Sequence, residues 1–290
     1  SILYYEYLGL NSELKILNKN IELQERAYEI IQIQKVAGEA TELAVQLFRN
    51  QLLNTKTIKN ETKQLLAETE NRIHFLMGKF PAKLNHNDSF LIYQIPDFTI
   101  ANYSAKIILD RPDIIDAEYE IKASNADVKA AKAAFYPQLN FNPFAGLHSF
   151  ESRVWFSPES FAFAMLGNLT APIFQQRVLK TNLKKQRAAQ KTAYLNYYQK
   201  VLGAYHEVYT LMQASENLLT SIQLKNEQIE ASKMAVNYAN DLFLGGKASY
   251  LEVINAQQGL LSAELDFIRL KKYLLQTRVN IYAAFGGGWK

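Results

Sequence analysis

Apolar residues recur with helical spacing over most of this chain and with a spacing of two in one short region, and the two periods predict its elements. From Gln175 to Leu242 (242 − 175 + 1 = 68 residues) there is no proline and a single glycine, Gly203. Unbroken at the α-helical rise, such a stretch reaches about 100 Å, longer than a compact domain core. Within it Val201, Tyr205, Val208, Met212, Ser215, Leu219 and Ile222 alternate steps of four and three, the signature of a coiled-coil seam. Leu251, Ile254, Gln258, Leu261, Leu265, Ile268, Lys272, Leu275, Val279 and Tyr282 continue the alternation in a second helix. A strict seven-residue repeat predicts left-handed supercoiling. Between the two lies LFLGGKASY, where Gly245 and Gly246 can supply the positive φ that ends a helix and Ser249 can cap the next, which predicts a helical hairpin.

The same pattern occurs earlier. KVAGEATELAVQLFRNQLL aligns with FLGGKASYLEVINAQQGLL at a constant offset, 246 − 38 = 208 and 260 − 52 = 208. Asn18/Asn226, Glu22/Glu230, Gly38/Gly246, Leu43/Leu251, Val45/Val253, Leu52/Leu260, Ile73/Ile281 and Gly78/Gly286 are identical under it, so the chain reads as an internal duplication. Each copy is a long helix, a glycine tip and a returning helix that ends at a glycine, in HFLMGKFP and in AAFGGGWK. Pro81 to Asp110, rich in Pro, Asn, Asp and Ser, reads as a connector with little regular structure.

The period of two appears where the helical ADVKAAKAA gives way to FYPQLNFNPFAGL. Leu139, Phe141, Phe144, Leu147 and Phe150 form a ragged alternation broken by Pro143 and Gly146. The return, SFAFAMLGNLTAPIF, puts Phe161, Phe163, Met165, Leu169, Ala171 and Ile173 on one face and Ala162, Ala164, Asn168 and Thr170 on the other, with Ser152 to Glu159 as the loop. Two strands alone bury too little to be stable. The alternation fits a soluble hairpin that caps a helical bundle. It fits equally a pair of transmembrane barrel strands, which need about 9–11 alternating residues. Tyr136, Phe150, Trp155, Phe156 and Phe161 would suit the membrane borders.

Composition narrows the chemistry. The 290 residues are 48% hydrophobic and 21% charged, a foldable balance. The net charge of +4 comes from lysines interspersed with glutamates, which argues against nucleic acid as a partner. Without cysteine there is no disulfide framework, thiolate metal site or cysteine nucleophile. No apolar run approaches the roughly 18 residues of a membrane-spanning helix. SILYYEYLGLNSELKIL reads as the middle of an amphipathic helix, so the natural N-terminus is expected upstream. His74, His86, His148 and His206 show no ligand spacing, and no nucleophile, phosphate-binding or dinucleotide motif occurs, so neither an enzyme nor a cofactor or metal is expected. Gly286 to Gly288 has no preceding strand and no following helix, the context of a helix end.

RPDIIDAEYEIKASNADVKAAKAAFYPQL, GNLTAPIF, YANDLFLGGKASYLEVINAQQGLLSAE and the terminal FGGGW, in this order, resemble the outer-membrane efflux proteins of the TolC and OprM kind over nearly the whole chain. The resemblance implies a mainly α fold, with long coiled-coil hairpins of an α-barrel and a two-stranded segment contributing to a transmembrane β-barrel. It implies residues 1–78 as the first-repeat hairpin, truncated at its N-terminus, 79–110 as the connector, and 111–136 as the first helix of the second repeat. Residues 137–174 are then the strand pair, and 175–290 the second long helix, its periplasmic tip and the return helix. The implied molecule is a homotrimeric duct of the outer membrane with a periplasmic extension, partnered by a periplasmic adaptor protein, an inner-membrane transporter and outer-membrane lipid. It is a passive channel for small molecules in a tripartite efflux pump, and Arg-Pro-Asp and Gly-Gly-Gly-Trp place it nearer the efflux branch than the type I secretion ducts. Family members carry a second strand pair, a signal sequence and often a lipidated cysteine, all expected upstream of Ser1.

Glu252 has two readings. Near a helix start its charge is favoured by about 0.3–1 kcal/mol. By resemblance it faces the pore at the periplasmic constriction, with Asn255 at the family's second acidic position, so that three chains form a weakened carboxylate ring. The tips, through Gly38, Thr41, Gly246, Lys247 and Ser249, are turns that by resemblance also meet the adaptor. Arg111, Pro112 and Asp113 suit a helix start. Tyr194, Tyr197, Tyr198, Tyr205 and Tyr209 read as packing between helices. The rival from another class is a soluble coiled-coil scaffold, in which Phe161, Phe163 and Met165 would pack on the chain's own helices; in a channel they would form an exposed band.

Overall fold

The computed structural model describes residues 1–84, 109–147, 150, 153, 156–158 and 161–287. Most of the expected connector, half of the Ser152–Glu159 loop including Trp155, and the chain from Gly288 on lie outside them. The chain divides into two compact units, Ser1–Ser104 with His206–Lys290, and Ala105–Tyr205.

The first unit contains α1 (Ile2–Val36), α2 (Glu42–Leu76), the C-terminal part of α4 (Gln176–Leu244) and α5 (Tyr250–Ala284). The helix ends obey the sequence offset: α2 and α5 start at 42 and 250 and stop at 76 and 284, each 208 apart. The reason is visible in the backbone. Gly38, Gly78, Gly246 and Gly286 are the glycines at positive φ, at +80°, +66°, +70° and +74°. Each is followed by an amide that reaches back to the helix: Glu39 to Gln34 (2.8 Å), Lys79 to His74 (2.9 Å), Lys247 to Leu242 (2.8 Å) and Gly287 to Tyr282 (2.9 Å). All four are the same helix-closing motif, which needs a left-handed residue at that point. After the last of them Gly287 meets a different constraint, because a Cβ there would lie 2.5 Å from the Tyr282 ring.

The helices bury stripes and share no single centre. Leu17 packs with Leu261 and Leu265; Tyr7 and Leu8 pack with Ile268 and Leu275; Ile31, Ala44, Val45 and Phe48 pack with Val253 and Ile254. Thr55, Thr62 and Thr69 are buried one heptad apart on α2, each hydroxyl donating to the carbonyl four residues back, of Gln51, Ile58 and Leu65. On α5 the expected seam is buried at Ile254, Leu261, Leu265, Ile268, Lys272 and Leu275, while Leu251, Gln258 and Tyr282 are exposed. Val253, Leu274 and Ile281 are buried as well, because α5 packs on the first hairpin in addition to its own partner and needs a face wider than one seam.

The seam of α4 differs from expectation. Ala204, Val208, Ser215 and Ile229 are buried, and Leu211, Leu218, Ile222, Val236, Ala239 and Phe243 are half-buried. Val208, Ser215 and Ile222 were expected, and the expected Val201 and Met212 are half-buried too. Tyr205 and Leu219 are exposed, and the positions one residue earlier face inward instead. Steps of three and four from Val201 can run through either set; the larger side chains suggested the wrong one, since close helix approach favours the smaller Ala204.

In the second unit α3 (Pro112–Ala133) buries Ile114, Ala117, Val128 and Ala131. It is tied to the first part of α4 by Lys200 to Asp116 (3.2 Å) and by a Gln190–Asn125 hydrogen bond. β1 (Gln138–Leu147) and β2 (Phe161–Thr170) are antiparallel, in continuous register from Gln138 opposite Thr170 to Leu147 opposite Phe161.

One charge in the first unit is costly. Glu13 on α1 is buried, with Arg269 at 3.9 Å and Lys272 nearby, and burial outweighs both cations and raises its carboxyl above the ordinary value. A raised folded-state pKa means that the folded protein binds the proton more tightly, so stability falls as pH rises through that pKa. Glu13→Gln should therefore be more stable than the parent at pH 7, with the difference vanishing below the ordinary carboxylate range, as read by urea unfolding at both pH values. A variant less stable at pH 7 would show that the ion pairs dominate.

Candidate functional site

Two regions carry the candidate residues. At the tips, Ile31, Ala44, Val45, Phe48, Val253 and Ile254 come from both hairpins, so the two turns share one small core. Around it Gly38, Thr41, Gly246, Lys247 and Ser249 are exposed. Thr41 caps α2, its hydroxyl accepting from the Ala44 amide at 3.2 Å. At the second tip the Ser249 amide donates to the Glu252 carboxylate at 2.6 Å, the reciprocal half of a capping box. Glu252 thus has a structural task at the helix start. Glu252 and Asn255 are both exposed, on the side opposite the buried Val253–Ile254 pair. Three positions apart on one helix, they share a face.

The two tips are braced differently. Lys35 pairs with Glu42 across the first, and Gln46 donates to the same carboxylate at 2.6 Å; the Gln46 hydrogen bond and then Lys35 hold it below the usual range. At the offset positions the second tip has Phe243 and Tyr250, which pack against the shared core. Identical backbones therefore carry a polar brace in one copy and an aromatic one in the other.

The second region is the strand pair. Directly paired residues project from the same face of a sheet. The register therefore assigns Leu139, Phe141, Pro143, Ala145 and Leu147 to one face with Phe161, Phe163, Met165, Gly167 and Leu169, and all ten are nonpolar. The other face has Gln138, Asn140, Asn142, Asn168, Thr170 and small residues, with Phe144 and Leu166 as its large apolar members. Phe144 was expected in the greasy alternation. The ladder has no bulge, so it falls on the polar face, where its ring lies over Gly146: a Cβ there would be 3.0 Å from Phe144 Cζ. On the apolar face Phe141 similarly covers Gly167 across the strands, at 3.3 Å from a built Cβ. Phe161, Phe163 and Met165 are 61%, 80% and 70% exposed, so nothing among the described residues covers this face.

The remaining candidates resolve locally. Arg111 clasps Asp113 through two hydrogen bonds of 3.0 Å at the start of α3, and its guanidinium lowers the Asp113 carboxyl. Tyr194, Tyr198, Tyr205 and Tyr209 are exposed and Tyr197 is half-buried; the four exposed rings lie off the Ala204–Val208–Ser215 stripe that α4 buries, so the described residues of one chain do not supply the packing between helices expected of them. His74 is buried with Nδ1 2.9 Å from the Glu70 carbonyl oxygen, His206 is exposed, and His86 and His148 are outside the described residues. Among the described residues no cluster of three or more His, Asp or Glu could hold a metal ion, and no helix is long and apolar enough to cross a membrane. Sequence reasoning missed Gln24, which is buried although polar. Its signal was present: Leu17, Ile21, Gln24, Tyr28 and Ile31 keep steps of four and three, so a glutamine occupies a seam position.

Comparison with known proteins places this architecture. A family profile described as outer membrane efflux protein matches residues 104–287. The probable outer membrane lipoprotein SilC of Salmonella typhimurium is 26% identical over 286 residues, covering 99% of this chain and 62% of that protein. The cation efflux system protein CusC of Escherichia coli O157:H7 is 25% identical over 291 residues, with 99% and 62% covered. The toluene efflux pump outer membrane protein TtgF of Pseudomonas putida is 26% identical, with 100% and 60% covered. Among solved structures, the outer-membrane channel OprN superposes with a TM-score of 0.88 at 25% identity, over 99% of this chain and 65% of that one. A CusC crystal structure gives 0.87 at 25%, over 99% and 67%. The chain thus spans about three fifths of the length of these curated relatives, 60% to 62%.

The capping geometry sets an expectation. Thr41→Ala should lower stability by about 0.5–2 kcal/mol, the usual cost of an N-cap hydroxyl, measured by urea unfolding. No loss would mean that the tip core alone fixes the turn.

Proposed function

Since the chain belongs to the outer membrane efflux protein family, we propose that three copies of the intact protein assemble into the exit duct of a tripartite export pump. The observation that carries this reading is the sheet face made wholly of nonpolar residues and left bare by the described residues, backed by a face of polar and small residues interrupted by Phe144 and Leu166. Such a pair is suited to lipid on one side and a water-filled lumen on the other. The protein resides in the outer membrane and performs no chemistry. It offers a path, and the energy for transport comes from an inner-membrane transporter.

The helices supply the periplasmic part of the path. Large side chains exposed on one protomer, Tyr194, Tyr198, Tyr205 and Leu219 among them, are available to seams with neighbouring copies. The tips meet a periplasmic adaptor through Gly38, Thr41, Gly246, Lys247 and Ser249, where exposed small residues permit close approach. Gating follows from weak contacts between hairpins: an adaptor that binds splayed tips better than closed ones shifts the population towards open. Relatives named for cation and toluene efflux favour small solutes over secreted proteins as cargo.

Glu252 contributes one carboxylate per chain to a ring at the periplasmic constriction, and Asn255 leaves a neighbouring ring neutral. The test is conductance of the intact protein in planar bilayers. Cation-selective channels are expected, and Glu252→Gln should reduce the cation preference with trimer assembly unchanged by size-exclusion chromatography. Absence of channels would overturn the duct; channels with unaltered selectivity would remove the acidic ring alone.

A further inference from the structure

Over most of the chain cations and acids are mixed, and helical neighbours pair them, as in Arg26–Glu22, Lys122–Glu118 and Lys233–Glu230. One stretch breaks the pattern. From Ala171 to His206 there are seven Lys or Arg and no Asp or Glu. Arg177, Lys180, Lys184, Arg187 and Lys191 follow steps of three and four, so they form one stripe along the start of α4, with Lys185 beside it. All six are exposed, and of the seven only Lys200 is in an ion pair among the described residues, with Asp116 at 3.2 Å. Like charges three and four residues apart repel, so the stripe calls for anions that the described residues do not supply.

Its place in the chain says which anions. Thr170 ends β2, and Ile173 and Phe174, both exposed, lie between it and the stripe. The approach to β1 has the same order in reverse: exposed Lys129 and Lys132, then exposed Tyr136, then the strand at Gln138. Between the far ends of the strands, residues 148–160 hold one cation, Arg153, and two acids, Glu151 and Glu159. An apolar band, aromatic side chains and then cations at one end only is the order in which a chain leaves a bilayer towards anionic headgroups. At the helical rise Lys185 lies about 14 Å along α4 from Gln176. Arg177, Lys180, Lys184 and Lys185 are therefore the cations whose long side chains reach a surface at the helix start. Arg177 and Lys185, two turns apart, border one shallow hollow with Thr181 and Asn182. The Thr181 hydroxyl donates to the Arg177 carbonyl oxygen at 3.0 Å, which leaves the Asn182 amide as the neutral donor beside the two cations. Guanidinium and ammonium groups are the side chains best suited to a phosphate.

We propose that this stripe is a lipid anchor: Arg177, Lys180, Lys184 and Lys185, with Lys129 and Lys132 at the end of α3, hold the phosphates of anionic phospholipids in the leaflet nearest the helices. The proposal rests on the reading that the strand pair crosses a bilayer, and it adds which lipid collects at the helix end of that pair. Cations drawn to the headgroups and kept out of the hydrocarbon also fix how deep the strands sit.

The experiment places the intact protein in phosphatidylcholine vesicles with a trace of spin-labelled phosphatidylglycerol or spin-labelled phosphatidylcholine. Electron paramagnetic resonance compares how strongly each label associates with the protein, and flotation reports insertion separately. Phosphatidylglycerol should associate about fivefold more strongly, the factor that one surface cation supplies. The preference should shrink in about 1 M salt, where charges are screened beyond about 3 Å. Glutamine at 177, 180, 184 and 185 together should bring it close to unity with the oligomeric state unchanged by size-exclusion chromatography, and inorganic phosphate at fixed ionic strength should leave the parent's preference in place. An inserted protein that treats the two lipids alike overturns the proposal and leaves the membrane reading standing, whereas a protein that does not float with the vesicles removes both. A preference abolished by inorganic phosphate would mark a free-anion site and overturn the lipid. So would a preference that survives the fourfold variant; if that variant also loses its oligomer, the stripe serves a neighbouring copy. Should the fourfold variant fail to insert, Arg177→Gln/Lys180→Gln and Lys184→Gln/Lys185→Gln are read instead: each should lose part of the preference, and loss in neither overturns the proposal.

Discussion

Everything in this chain depends on the burial of narrow stripes along very long helices. A helix gains little from propensity by itself and is held by the side it packs. Here each helix commits one stripe, or two for α5, and leaves the rest to solvent or to other molecules. The contacts recur along the rods in separate clusters, Tyr7 with Ile268, Leu17 with Leu261, Ile31 with Val253. Such a scaffold has no centre to collapse around. Its ends must be fixed by local chemistry instead, which is why the same glycine closure recurs at the four helix C-termini of the first unit.

The same economy explains the strand pair. Two ten-residue strands cannot form a core, and nothing among the described residues covers their apolar face. In water alone that face would be a liability. In a closed barrel across a bilayer it is a requirement, because lipid accepts apolar side chains and only a closed ladder satisfies every backbone group. The stripes and the bare face both suit the proposed duct, in which further copies of the chain and a membrane complete them.

Much of this is legible in the sequence, for stated reasons. The duplication, the glycine tips and the returning helices follow from spacing that local physics enforces. Gly38 and Gly246 mark closures only glycine tolerates well, and Thr41 and Ser249 mark caps. The errors arise where spacing allows two answers. Tyr205 and Leu219 satisfy the four-and-three rule as well as Ala204 and Leu218 do, and only packing chooses between them. Phe144 looked like part of the apolar run until a continuous register put it on the other face, over Gly146. Glu252 shows a different limit. A glutamate three residues after a capping serine is readable as half of a capping box, and the structure makes that bond. Nothing within one chain displays a ring that needs three.

The central claim is that the odd-numbered positions of β2 meet lipid and the even-numbered ones meet water. These 290 residues hold no cysteine, so single cysteines from Phe161 to Thr170 can be labelled in the intact protein reconstituted in bilayers once any reactive cysteine outside them is replaced. The account predicts a period of two: labels at Phe161, Phe163, Met165 and Leu169 quenched by nitroxide lipids, and labels at Ala162, Ala164, Asn168 and Thr170 quenched by a water-soluble agent. Uniform quenching by either agent, or protection of every position from both, would contradict it.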